Sequence, residues 1–136
     1  MSKPLNNNIT NDIIIMLSEK FILMLHFMKI QKEPFEMIKN GKKIYELRLY
    51  DQKRRLVKNG DSIEFTCVAS AEKITVKVVE ILLFPSFIDL YEALSPLDIG
   101  YTEQNCKKAS PLDMLKYYSK EEQASFGVVA FKIQGV

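Results

Sequence analysis

The chain has 136 residues, of which 47% are hydrophobic and 26% charged, and a formal net charge of +2 at pH 7. That length suits one domain with a core of its own, and the balance excludes a disordered tail, a collagen-like fibre or a disulfide-dense scaffold. A total charge this small does not by itself predict nucleic-acid binding, and two cysteines with one histidine rule out a Cys- or His-rich metal framework.

In chain order, the polar start MSKPLNNN is expected to fray. Residues 12–25, DIIIMLSEKFILML, are apolar but broken by Ser18-Glu19-Lys20. The run is too short and too charged for a membrane span, and no small-residue cleavage site follows it. It predicts a short amphipathic helix, capped near Thr10 or Asn11 and running into a strand. Residues 1–22 are then an extension to a domain over residues 23–136, and its apolar surface can pack on that domain or bring two copies together as a homodimer.

Leu23–Gln31 has the composition of a buried strand, in which His26 is expected to be a satisfied core residue rather than a ligand. Pro34 suits the first turn of a helix over 34–40, with Phe35 and Ile38 on one face, and Asn40-Gly41 is a helix stop. Strand patterns follow at Ile44–Tyr50 and at Asp61–Val68, the latter entered through the Asn59-Gly60-Asp61 turn, with Ile63, Phe65 and Cys67 alternating. Lys73–Phe84 is a longer strand with Ile74, Val76 and Val78 on one face. Its parity shifts toward Val79 and Ile81, as a bulge or a fully buried end would require.

Ser86-x-x-Asp89 resembles a capping box before the helix FIDLYEAL. Ser110-Pro111 begins a helix over 111–118, with Leu112 and Leu115 spaced to bury together. Ser119-x-x-Glu122 opens one further helical turn before Gly127, and VVAFKI over 128–133 closes the chain as an apolar strand. With no repeat or low-complexity linker, one domain is expected. The pattern is α+β: a small β-barrel of about five to six mostly antiparallel strands with short flanking helices. The widely spaced Cys67 and Cys106 imply reduced thiols in a cytoplasmic protein, with no metal and no disulfide framework.

Charge is unevenly spread. Residues 39–58 hold eight basic side chains (Lys39, Lys42, Lys43, Arg48, Lys53, Arg54, Arg55, Lys58) against Glu46 and Asp51, so that segment carries +6 and the remainder −4. A local positive field of this kind suits phosphates or another polyanion, although a solvated charge run is the plainer reading. In a regular strand Glu46 and Arg48 share one face, about 7 Å apart, while Tyr45, Leu47 and Leu49 face the core. Lys43, leaving the helix stop, can reach a neighbouring carboxylate. The three make a Lys–Glu–Arg constellation able to fork a phosphate or accept a base amino group; the alternative is an exposed ion-pair ladder of little energetic weight.

The segment GKKIYELR matches G-x-K-x-x-E-x-R, the signature of the ASCH domain, and the chain resembles that family beyond the motif. EPFEMIKNG, ELRLYDQKRR, GDSIEF, YYSKEE and FGVV follow in the order seen in its bacterial stand-alone branch, over about residues 24–134. The resemblance implies a PUA-like barrel whose cleft binds RNA or a nucleotide-like ligand; no cofactor, metal or membrane is expected. It assigns the turn to Gly41, the cations to Lys43 and Arg48, and the group between them to Glu46. Arg54 and Arg55 then extend a positive rim, and Tyr45, Tyr50, Tyr117 and Tyr118 are candidates to stack bases, each also readable as packing.

A second reading is a small amidohydrolase acting on N4-acylated cytidine-type nucleosides, as in relatives whose motif reads K-x-x-T-x-R. Here Glu46 stands where that branch has threonine. Lys43 is kept, and Thr66, Ser70 or Thr75 would have to supply the hydroxyl unless a Lys43–Glu46 pair activates water, with Glu80 and Glu92 as further acids. A third reading is a protein-interaction module for an acidic partner. The missing threonine ranks binding before catalysis, and the protein partner third.

Overall fold

Alternating and β-branched apolar runs build a single curved sheet in the computed structural model, which describes residues 12–17 and 22–136. Its strands are β1 (Asp12–Leu17), β2 (Ile22–Ile30), β3 (Tyr45–Leu49), β4 (Ser62–Cys67), β5 (Lys73–Phe84) and β6 (Val128–Gly135). The helices are α1 (Lys32–Lys39), α2 (Phe87–Ala93) and α3 (Lys120–Phe126), with short 3-10 turns at Arg54–Leu56, Pro96–Ile99, Cys106–Lys108 and Pro111–Lys116. The strand order is β1-β2-β4-β5-β6-β3. Every neighbouring pair is antiparallel except β2 and β4, which run parallel with Leu25 opposite Ser62 and Ile30 opposite Cys67. The result is the α+β, mostly antiparallel architecture anticipated, as a half-barrel.

The N-terminal helix is corrected. Asp12–Leu17 is strand, paired with β2 from Asp12 opposite His26 to Leu17 opposite Ile22 and offset by a bulge between Ile14 and Met16. Three consecutive isoleucines are stiff at χ1 and favour extended backbone, and pairing satisfies the free edge of β2. The frayed start lies outside the described residues.

Two apolar clusters cover the two faces of the sheet. Phe35 and Ile38 of α1 pack with Met28, Ile63, Phe65, Val78, Val129 and Phe131. Tyr45, Leu47 and Leu49 of β3 pack with Phe87, Leu90, Ile99, Met114, Val128 and Ala130. Successive β6 residues thus enter opposite clusters, which explains why VVAFKI is apolar without alternation: a strand buried on both faces needs no polar side. The parity shift in β5 is a bulge, with register broken between Val78 and Glu80.

His26 is satisfied in the core. Its Nε2 lies 2.8 Å from Asp61 Oδ2, and Asp61 also accepts the backbone N–H groups of Met24 and Lys58, at 3.2 and 2.9 Å. One carboxylate therefore pins the entry to β4 against β2.

The 111–118 helix is also revised. Ser110 forms its capping box with Asp113, but Pro111–Lys116 winds as a 3-10 turn. With three residues per turn the buried face rotates, so Met114 enters the core while Leu112 and Leu115 stay exposed. Ser119 and Glu122 do make the reciprocal cap that begins α3. Among the described residues no helix is long and apolar enough to cross a membrane.

Candidate functional site

The site begins where α1 ends. Gly41 takes φ +79, the N–H of Lys42 donates to Met37 O at 2.8 Å, and that of Gly41 donates to Ile38 O at 3.1 Å. This is the Schellman closure, which glycine at that position makes at low cost. The N–H of Lys43 also donates to Met37 O, at 3.0 Å, so the lysine leaves the turn from a fixed backbone. Ile44 then donates to Asp98 O at 3.0 Å and the chain enters β3.

On β3, Leu47 and Leu49 point into one cluster, so Glu46 and Arg48 point to the opposite face. Their cross-strand partners on β6 are Phe131 and Val129, members of the other cluster. Two charged side chains therefore enter the inner face of the half-barrel at its β3 edge. Lys43 Nζ lies 2.9 Å from Glu46 Oε1, and Arg48 Nε lies 2.8 Å from Glu46 Oε2. The three side chains are only 10%, 5% and 14% exposed for Lys43, Glu46 and Arg48, so this is no surface ladder. Burial pushes the Glu46 carboxyl up, but the Lys43 ammonium and the Arg48 guanidinium outweigh it and hold the group below its ordinary value. For Arg48, burial lowers and Glu46 raises, with a net rise.

The arrangement is not fully closed. Lys43 meets Glu46 Oε1 as an ion pair, and among the described residues no other donor reaches this buried oxygen. Arg48 Nη2 donates to Lys29 O at 2.9 Å. Among the described residues β3 has no backbone ladder to β2, and this side-chain bond spans the gap between those strands.

Beside the three charges lies a cavity of about 630 Å³, bounded by α1, by the motif on β3 and by the 96–118 segment. Gly100, with φ +117, lets Lys43 lie flat against the backbone: a Cβ there would stand 3.3 Å from Lys43 Cδ and 3.6 Å from Nζ. Tyr117 and Tyr118 form one wall, and Tyr118 stacks on Phe87 with centroids 6.0 Å apart. On another wall the Tyr91 and Tyr101 hydroxyls lie 2.8 Å apart, and Tyr101 donates to Asp113 Oδ2 at 2.6 Å. Burial, the bond to Asp113 and the neighbouring phenol push the Tyr101 phenol far above its ordinary value. Burial raises Tyr118 as well, although Arg48 opposes it.

Lys43, Glu46, Arg48 and Tyr118 thus line one cavity. Gly41 shapes the approach without lining it. Arg54 lines a smaller cavity of about 380 Å³, shared with Arg48. Arg55 turns away: its guanidinium sits 4.3 Å above the Tyr50 ring and Nη2 donates to Phe126 O at 3.3 Å, so neither residue lines either cavity. Tyr45 is core. Of the hydroxyls considered for a nucleophile, Thr66 lines the smaller cavity while Ser70 and Thr75 line neither, and Glu80 and Glu92 are also absent from both. Among the described residues no group of His, Cys, Asp or Glu is placed to hold a metal ion.

Sequence reasoning missed Gly100, Tyr91, Tyr101 and Asp113. Tyr91 and Asp113 sit in stretches whose helical signals mask any other role, and they meet Tyr101 only through tertiary packing. The one local signal was the Pro96–Gly100 turn, a short helix with glycine at its end.

Residues 28–136 match the ASCH domain. The crystal structure of the hypothetical protein PH0355 is similar at 33% identity and TM-score 0.68, over 81% of this chain and 97% of that one. The solution structure of PF0455 from Pyrococcus furiosus is 32% identical with TM-score 0.65, over 83% and 98%. ASCH from Zymomonas mobilis, 17% identical with TM-score 0.51 over 79% of this chain and 66% of that one, is similar in fold. No curated protein matches the chain.

Proposed function

This chain belongs to the ASCH-domain family, and on that premise we propose that it binds RNA or a nucleotide, with a base held in the cleft beside Lys43, Glu46 and Arg48. The observation that carries the reading is the buried Glu46 carboxylate, kept ionised between two cations, with the Lys43 ammonium against Oε1 and the Arg48 guanidinium against Oε2. A base amino or imino group is the complementary donor, and it reaches Oε1 when the Lys43 ammonium swings onto the ligand. Lysine and arginine then meet base carbonyl or phosphate oxygens, while the Tyr117 and Tyr118 wall supplies aromatic surface for stacking.

The same feature weighs against the amidohydrolase reading. A carboxylate held below its ordinary value is a weak general base, and Glu46 itself stands at the position where the hydrolase branch has threonine. Release of cytidine from N4-acetylcytidine by wild type, abolished in Lys43→Ala, would restore that reading. The direct test is a thermal-shift and calorimetric screen of nucleosides, nucleotides and short RNAs, repeated with Lys43→Ala and Arg48→Ala. Binding that weakens steeply with salt and drops in both variants is expected. No binding at low salt by a folded wild-type protein refutes the proposal.

A further inference from the structure

Arg48 stands between two concavities. It and Lys29 line the main cleft and also the smaller cavity, whose remaining walls are Phe27, Met28, Lys53, Arg54 and Thr66. That lining holds four cations and no carboxylate. Arg48 already shares Glu46 with Lys43, and its Nη1 donates to no protein atom among the described residues.

Arg54 is compensated still less. Its side chain is 17% exposed, and its nearest acid, Asp51, lies 3.7 Å from Nη1, beyond hydrogen-bond distance. The other oxygen of Asp51 is taken by the backbone N–H of Arg54 at 3.0 Å. Arg54 Nε is buried and has no hydrogen-bond partner among the described residues. Burial, together with the Arg48 charge, pushes the guanidinium below the ordinary arginine range. A solvated basic patch would leave such groups in water. Here two guanidinium groups are largely withdrawn from it, side by side, with donors unused, a costly arrangement unless an anion completes it.

We infer that this cavity is a phosphate-binding subsite, formed by Arg48, Arg54, Lys53 and Thr66, for a phosphorylated nucleoside unit whose base occupies the main cleft. The inference rests on the binding role proposed for that cleft. A phosphate suits the chemistry: its oxygens accept several charge-assisted hydrogen bonds at once, and guanidinium forks fit them. Because Arg48 forms a wall of both cavities, base and phosphate can belong to one ligand that crosses it. The phosphate is either the terminal group of a mononucleotide or a diester within an RNA strand.

The test uses the full chain, labelled with nitrogen-15, with arginine Nε–H and backbone resonances followed by NMR. Inorganic phosphate is titrated against chloride at matched ionic strength. Saturable shifts at Arg48, Arg54 and Thr66 with phosphate alone, lost in Arg54→Lys, are expected; shifts that never saturate and are matched by chloride overturn the subsite. Calorimetry then compares a nucleoside, its 5′- and 3′-monophosphates and a short oligoribonucleotide. With new charged hydrogen bonds in play, a phosphorylated form should bind about tenfold tighter than the nucleoside. That advantage should shrink in Lys53→Gln and in Arg54→Lys, with melting curves confirming that both variants fold. Equal affinity for nucleoside and phosphorylated forms overturns the subsite and leaves the cleft reading standing. Saturable phosphate binding without any nucleoside binding supports the subsite as an anion site and removes the cleft reading. A preference for the oligoribonucleotide over both monophosphates identifies the diester as the source.

Discussion

Glu46→Gln keeps the shape of the side chain, removes its charge, and leaves Lys43 and Arg48 facing each other across a buried amide. The carboxylate oxygens lie 2.9 Å from Lys43 Nζ and 2.8 Å from Arg48 Nε. At such separations the gross attraction is about 6 kcal/mol per pair for an effective dielectric of about 20. Desolvation of nearly buried ions offsets several kcal/mol of this per ion, and removing one partner of a buried pair costs about 3–5 kcal/mol net. For a domain of this size the melting temperature should fall by roughly 10–20 °C. Urea unfolding of wild type, Glu46→Gln, Lys43→Met and the double variant measures the effect directly. The double variant relieves the stranded lysine, so the two losses should fall short of additivity by about 1–3 kcal/mol. A Glu46→Gln protein within about 0.5 kcal/mol of wild type, at unchanged denaturant slope, would refute the argument that this carboxylate holds the two cations in place.

Because the folded Glu46 carboxyl lies below its ordinary value of 4.5, its stabilisation is fully present above that value and is lost as pH falls through the lower folded one. The urea midpoint should therefore decline more steeply below about pH 4.5 in wild type than in Glu46→Gln, and parallel declines would contradict this. Gly100→Ala places a Cβ 3.3 Å from Lys43 Cδ at φ +117, so a loss of about 1–3 kcal/mol is expected by thermal unfolding, with weaker ligand binding as Lys43 is displaced. Arg48→Lys keeps a charge but cannot serve both Glu46 Oε2 and Lys29 O; about 1.5–3 kcal/mol should be lost, and hydrogen exchange at β3 should accelerate.

The helix stop at Gly41, the parity that sends Leu47 and Leu49 to one side and Glu46 and Arg48 to the other, the β5 parity break and the caps at Ser86 and Ser119 were all legible in the chain. Each depends on residues within a turn or two of one another, where backbone geometry and hydrophobic period suffice. The motif itself is local in the same sense. The N-terminal run misled because its period does not separate a short helix from a strand; β1 owes its form to the unpaired edge of β2. The 111–118 stretch misled because a 3-10 turn rotates the buried face away from the α-helical one. Arg55, level with Arg54 in the basic run, is taken up by Tyr50 and Phe126 O, the latter a partner distant in sequence.

By itself, then, the sequence determined which charges would share a face and where each strand and helix would stop. Only the tertiary structure decided that those charges are buried, because burial comes from the 96–118 segment folding over β3 and from α1 closing the other side. It also decided that Arg48 would reach across to Lys29 and divide one cavity from another. Side-chain spacing along a strand sets direction, but desolvation and charge balance depend on neighbours that the chain brings together only when it folds.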